Sequence, residues 1–326
     1  MLTSRPYAGD ADRERLRAFL VAANAEDARH GRRTYWHVGD LLWALYPNTD
    51  LDLASTIRLW EDERGELAGF GWFDEPETVM WQIAPRWRAG DLASEMLAWG
   101  ERRARDAGAS VLRSRGPNGG AETMAFLAAN GLTRDDRTPL ALQQKRGLAP
   151  EGYYELHLAR DLCQPIPEPD GERVSGGRPY ETRAVGGEDE WPARVDLHRV
   201  VWHPSRVTVE AYRRLRGVPG YRADLDLVAV APSGDFAAYC ICWLDTENRT
   251  GEFEPVGAAP AYRRQGAGRA VMLEGLRRLR AAGAETAIVY TSANNRPAVA
   301  LYESVGFRVY DEEHYYEKPL TRAQVG

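Results

Sequence analysis

The chain has 326 residues, a formal net charge of −6 and 28% charged residues, which is long enough for two ordinary domains with their own cores. The acidic balance leaves no basic footprint for nucleic acid; it suits cationic, amine-bearing substrates, although ordinary solubility accounts better for the charge taken alone. Three cysteines without Cys/His ligand spacing argue against a disulfide framework or a metal site, and no apolar run approaches membrane-spanning length.

Met1 to Tyr7 carries no apolar signal core, so the expected location is cytoplasmic. Trp36, Trp43, Trp60, Trp72, Trp81, Trp87 and Trp99 make the first half aromatic-rich. They read as core and interdomain packing, with some available to line a substrate groove. The strand-like run Gly65 to Trp72 has a counterpart at Gly234 to Ile241, and Pro85/Pro260, Arg88/Arg263, Gly108/Gly283 and Gly131/Gly306 are each 175 positions apart. Such long repeats predict two copies of one domain. Three prolines within Pro165 to Gly171 predict an extended spacer, dividing the chain into 1–164, a linker at 165–171, and 172–326.

In the second copy the pattern predicts a strand at Tyr180–Ala184 and helices at Trp191–Val200 and Thr208–Leu215. Strands follow at Leu225–Ala231, Phe236–Leu244 and Glu252–Ala258. A helix at Gly266–Ala282, a strand at Thr286–Thr291, a helix at Arg296–Ser304 and a closing pair of strands through Tyr315–Lys318 complete it. The expected fold class is α/β: a mixed sheet flanked by helices. Cys240 and Cys242 alternate on one strand and read as small core residues. His198, His203 and His314 lack a third ligand in register and read as packing, capping or substrate contacts.

Between strand and helix lies Pro260-Ala261-Tyr262-Arg263-Arg264-Gln265-Gly266-Ala267-Gly268-Arg269-Ala270. A glycine-bearing turn there aims unpaired helical N–H groups and the positive dipole end at one point, an anion site suited to a pyrophosphate. Arg263, Arg264 and Arg269 add cationic charge. Downstream lies Asn295-Arg296-Pro297-Ala298-Val299-Ala300-Leu301-Tyr302-Glu303-Ser304-Val305-Gly306-Phe307. Upstream, Glu252 and Glu254 sit at i and i+2 on one strand face, and Pro255 interrupts that strand, predicting a bulge or splay.

With Arg-x-x-Gly-x-Gly at 263–268 and Asn-x-x-Ala-x-x-Leu-Tyr-Glu-x-x-Gly-Phe at 295–307, the chain resembles the GCN5-related N-acetyltransferase (GNAT) superfamily. The resemblance implies two tandem domains, each a mostly antiparallel sheet flanked by helices. It also implies acetyl-CoA as co-substrate, with no metal, held by Arg263, Arg264, Gln265, Gly266, Ala267, Gly268, Arg269 and Asn295. The pantetheine arm would pair beside Val256, Gly257 and Ala258, and an N–H of Val256 or Gly257 would polarise the thioester carbonyl. Tyr302 is the implied general acid for the departing thiolate, and Glu252 or Glu254 the base, directly or through water. In the first copy Asp91 stands opposite Gly266, Ala93 opposite Gly268, Leu127 opposite Tyr302 and Gly120 opposite Asn295, so that copy reads as degenerate and supporting.

The function expected is transfer of acetyl to a primary amine of a small molecule by the C-terminal copy of a monomer or homodimer. In layout the chain is also similar to the two-domain mycothiol synthases; an aminoglycoside-type activity and a non-catalytic acetyl-CoA-binding sensor or scaffold are the alternatives.

Overall fold

The computed structural model describes residues 2–31, 36–46, 52–75, 77–117, 120–138, 143, 148–168 and 180–320. Residues 169–171 of the expected spacer lie outside the described residues. The first repeat comprises β1 (Thr3–Pro6), α1 (Asp10–Arg29), α2 (Val38–Leu45), α3 (Leu53–Thr56), β2 (Ile57–Glu61), β3 (Leu67–Glu75), β4 (Thr78–Ile83), α4 (Leu92–Asp106), β5 (Val111–Pro117), α5 (Ala121–Ala129), β6 (Thr133–Arg134) and β7 (Glu155–Asp161). The second comprises β8 (Glu181–Ala184), α6 (Trp191–Val201), α7 (Val209–Arg216), β9 (Asp226–Val230), β10 (Phe236–Asp245), β11 (Thr250–Ala258), α8 (Ala267–Ala281), β12 (Thr286–Ser292), α9 (Arg296–Ser304) and β13 (Arg308–Pro319). The spans of α4, β5 and α5 recur as α8, β12 and α9 at the 175-residue offset, so the repeat is structural as well as sequential.

All strands join one 13-stranded sheet in the order β1-β2-β3-β4-β5-β13-β7-β12-β11-β10-β9-β8, with β6 pairing β13 off that path. Most neighbours are antiparallel; β4 with β5 and β11 with β12 are parallel. The final strands are exchanged. β7, from before the proline-rich stretch, pairs along its length with β12, while β13 pairs with β7 through Arg308–Glu313 and with β5 through Glu313–Pro319. The closing pair of strands expected within the second copy is therefore a single long β13 whose partners belong to the first. A pattern of alternating residues reveals a strand but not which edge it joins.

The apolar faces explain the packing. α8 buries Val271, Met272, Leu276 and Leu279 against Cys240, Cys242 and Phe253 of the sheet, and both cysteines are core residues, as their alternation predicts. Helix α2 straddles the repeats: Leu41 packs into the first repeat's core with Leu16 and Phe70, and Leu42 into the cluster of α6, α7 and β10. Its start is fixed by a capping box in which His37 Nδ1 accepts from Gly39 N–H and Asp40 Oδ2 accepts from His37 N–H at 2.8 Å, a device worth about 1 kcal/mol. No helix among the described residues is long and apolar enough to cross a membrane.

Candidate active site

Helix α8 begins at Gly266, whose φ of +89° is left-handed, a conformation that costs a side-chain-bearing residue. The turn that needs glycine thus places the N–H groups of α8 at the mouth of a cavity of about 1350 Å³. Arg263, Arg264, Gln265, Gly266, Gly268 and Arg269 all line it. Ala267 does not: its side chain packs in the core. Arg263 donates to the Ala258 carbonyl at 3.3 Å and Gln265 to the Ala261 carbonyl at 2.7 Å.

The same cavity is walled by Val256, Gly257 and Ala258 of β11 and by Asn295 and Tyr302 of α9. β11 pairs with β12 only through Thr250–Glu252, and its pairing with β10 slips between Cys240 and Cys242, opposite Glu254 and Pro255. Pro255 thus lies in the bulge expected from its missing N–H, and the sheet parts beyond it. Trp243 Nε1 donates to the Glu254 carbonyl at 2.6 Å and braces the bulge. Tyr302 is 6% exposed, and burial followed by the nearby Glu254 pushes its phenol pKa up, which keeps it in the protonated form. Asn295 Nδ2 contacts Thr291 Oγ1 at 3.3 Å.

The structure separates the two glutamates. Glu254 lines the cavity and is half-buried; Glu252 is fully buried and contributes nothing to the wall. Glu252 Oε2 lies 2.9 Å from His37 Nδ1, while His37 Nε2 lies 3.3 Å from the Thr250 carbonyl. A carbonyl only accepts, so Nε2 carries the proton; Nδ1 then accepts, as its contact with Gly39 N–H also requires. Glu252 must be the donor and hence protonated. Burial first, then repulsion from Glu254, pushes its pKa up to about 8 against hydrogen bonds from Asp40, and burial lowers that of His37. Glu254 is pushed up to about 8 by burial, with Asp40 and Glu155 adding repulsion.

Sequence reasoning missed most of the groups, the tryptophans excepted, that the first repeat brings to this end. Trp36, Asp40 and Trp43 from α2 and its approach, Trp72 and Met80 from β3 and β4, Arg115 from β5, and Glu155 and His157 from β7 all line the cavity. Glu313 of β13 joins them, held ionised by Arg115, 3.2 Å away. The expectation that some tryptophans line a groove holds for Trp36, Trp43 and Trp72; Trp60, Trp87 and Trp99 pack inside the first repeat. No local signal links these positions, because exchanged strands and a bridging helix assemble them. Of the histidines, His203 lines the cavity. His198 Nδ1 meets the Tyr239 hydroxyl at 2.6 Å, its pKa lowered to about 3 by burial, and His314 lies between Asp136 and Glu312. No cluster of His, Cys, Asp or Glu able to hold a metal ion occurs among the described residues.

The first repeat's equivalent turn differs. Arg88, the counterpart of Arg263, forms a two-pronged ion pair with Asp27 at 2.7 and 2.8 Å. Asp91 stands at the start of α4 and Leu127 is buried where the second repeat has Tyr302.

A glycine turn at a helix start, a parted strand pair and a phenol share one cavity within a tandem mixed sheet, the arrangement expected of an N-acetyltransferase. Residues 191–307 match the family model "Acetyltransferase (GNAT) family". A mycothiol acetyltransferase of Segniliparus rotundus is 30% identical over 202 residues, covering 54% of this chain and 68% of the relative. Another, of Streptomyces bingchenggensis, is 28% identical over 271 residues, covering 80% of each chain. Among solved structures, a tandem GNAT protein from the clavulanic acid biosynthesis pathway superposes over 99% of this chain and 100% of its own, with a TM-score of 0.65 at 17% identity. A GCN5-related N-acetyltransferase from Sphaerobacter thermophilus covers 98% and 96% with a TM-score of 0.62 at 18% identity. The chain belongs to the GNAT acetyltransferase family, whose members use acetyl-CoA as co-substrate.

Proposed function

We propose that the chain transfers acetyl from acetyl-CoA to a primary amine of a small molecule, at one site in its second repeat spanning about 172–326. The observation that carries this reading is the single cavity onto which the Gly266–Arg269 turn, Tyr302 and Glu254 all open.

The pyrophosphate would rest on the N–H groups of α8 with Arg263, Arg264 and Arg269 around it, and the pantetheine arm along Val256 to Ala258 with Asn295 as a polar partner. The pairing of β11 with β12 ends at Glu252 among the described residues, so N–H groups beyond it would be available to the thioester oxygen. The amine nitrogen gives a proton to Glu254, bonds to the carbonyl carbon, and the C–S bond breaks as Tyr302 protonates the leaving thiolate. The second proton lost by nitrogen restores Tyr302, and Glu254 passes its own to solvent. A carboxyl near pKa 8 is matched to this task around neutral pH.

Carboxylates and aromatic side chains at the far end favour a cationic acceptor with ring or apolar surface. A narrower reading, an acceptor like that of the mycothiol acetyltransferases, draws on an alignment running through 80% of both chains. The test is calorimetric titration of acetyl-CoA into wild type and Gly266→Asp, followed by a free-thiol assay over glucosamine, spermidine, cysteinamide and kanamycin. One site per chain, lost in the variant, with thiol release from at least one amine supports the reading. A site that survives, or binding without turnover of any amine, overturns it.

A further inference from the structure

We propose that Asp40, contributed by the first repeat, is a second catalytic carboxyl that clamps the acceptor ammonium together with Glu254. The inference rests on the acetyl-transfer reading above.

Asp40 sits in the first turn of α2, docked against β10 and β11, and it shares the cavity with Glu254 while Glu252 is sealed behind. Two features fix its orientation. Its Oδ2 accepts from His37 N–H at 2.8 Å, and its carboxyl interacts with that of Glu252, whose buried Oε1 meets no N–H or conventional O–H donor among the described residues. A proton on Asp40 satisfies that oxygen. The resting chain is then Asp40 to Glu252, Glu252 to His37 Nδ1, and His37 Nε2 to the Thr250 carbonyl. Glu252 and His37 are positioning residues; only the Asp40 end reaches the cavity.

Asp40 and Glu254 line the same cavity and repel one another, which favours a resting proton on one of them while no cation is bound. An arriving ammonium supplies the missing positive charge, and its docking releases the resting proton to solvent. The proton balance leaves room for a second such group as a relay. Converting R–NH3⁺ to an amide removes two protons from nitrogen, one before attack and one as the tetrahedral intermediate collapses, while the thiolate consumes one. Glu254 takes the first, and Asp40 can relay the second to Tyr302, which the departing thiolate has left deprotonated. The charged and titratable groups around Asp40 are His37 on its own segment, Glu252 and Glu254 on β11, Asp245 near His37, Tyr290 on β12 and Glu155 opposite Glu254.

The decisive variant is Asp40→Asn, whose amide N–H still donates to Glu252 and whose oxygen still accepts from His37. With the fastest acceptor of the panel above, wild-type log kcat/KM should rise on its acid limb with a slope approaching two. Asp40→Asn should give a slope of about one and a loss on the order of 100-fold, with wild-type acetyl-CoA affinity. Glu252→Gln, which mimics the protonated acid, should keep the wild-type slope. An unchanged slope and rate in Asp40→Asn overturns the proposal, as does a parallel loss of acetyl-CoA affinity, which would mark a structural role. Asp40→Ser provides the same comparison should the asparagine variant fail to fold. Absence of turnover by wild type with every amine instead overturns the acetyl-transfer reading and this one with it.

Discussion

His37 and Glu252, 215 residues apart in the chain, meet at 2.9 Å. The approach depends on Gly39 between them: a Cβ there would lie 2.2 Å from Glu252 Oε2 and 2.5 Å from the Trp243 ring. A helix of the first repeat is thereby seated directly on the strand that carries the second repeat's candidate base.

Gly39→Ala therefore forces α2 away from β11. Overpacking at such a contact costs about 1–3 kcal/mol, so the melting temperature should fall by several degrees. Acceptor kcat/KM should drop while acetyl-CoA affinity stays near wild type, because the α8 turn lies elsewhere on the cavity. Thermal melts and calorimetry check both; unchanged melting would mean that α2 does not need its present depth.

Glu252 and Glu254 should behave oppositely when made amides. Gln at 252 keeps a donor for His37 and loses nothing that touches the cavity, so kcat/KM should stay within a few-fold of wild type. Gln at 254 removes the only one of the pair that reaches the acceptor end, and a loss of about 100-fold or more is expected. Steady-state kinetics on both variants decides; the reverse ranking would make the buried Glu252 the base.

The protonated Glu252 also shapes stability against pH. Its folded pKa, about 8, exceeds its ordinary value of 4.5, so the native state binds the proton more tightly than the unfolded chain. That contribution is full below about 4.5 and is lost as pH rises toward 8. Glu252→Gln has no such dependence. The difference in melting temperature, variant minus wild type, should grow from pH 5 to pH 8 and level off above. A flat difference across that range would show that Glu252 is ionised in the fold.

What was legible in the sequence was local. The α8 turn, the Pro255 bulge, the 175-residue repeat and the core cysteines all follow from residue types over a few positions, where glycine, proline and alternation have direct conformational meaning. Glu252 and Glu254 were legible as a pair but not as one sealed and one cavity-facing group, because α2 covers Glu252 and lies more than 200 residues upstream. Asp40, Arg115, Glu155 and Glu313 reach the cavity through a bridging helix and exchanged strands, which no short window encodes. The first repeat's departures from the second were visible at Asp91 and Leu127, while the pairing of Arg88 with Asp27 needed the fold.

That pairing separates two equivalent arginines. Arg88→Ala should leave acetyl-CoA affinity unchanged and lower stability, since buried Asp27 then loses its two-pronged bond from Arg88. Arg263→Ala, at an exposed position on the cavity rim, should weaken acetyl-CoA several-fold with little change in melting. Calorimetry and melts on the two variants give a crossed pattern; a weakened affinity in Arg88→Ala would mean that the first repeat takes part in binding.

The strand exchange makes a strong prediction about cutting the chain. A fragment 172–326 lacks β7, leaving the whole of β12 with an open edge, and it lacks β5, leaving Glu313–Pro319 of β13 unpaired. It also exposes the cluster into which Leu42 and Trp43 pack and removes Asp40, Glu155, Trp36 and Trp72 from the cavity. Open edges and bared apolar surface favour association, so the fragment should elute as aggregate on size exclusion and release no thiol from acetyl-CoA with any amine. Fragments 1–168 and 172–326 expressed together should re-form one particle, because the exchanged strands hold them without the intervening peptide, and recover turnover. A monomeric, active 172–326 fragment would show that the first repeat is dispensable for both the fold and the acceptor end.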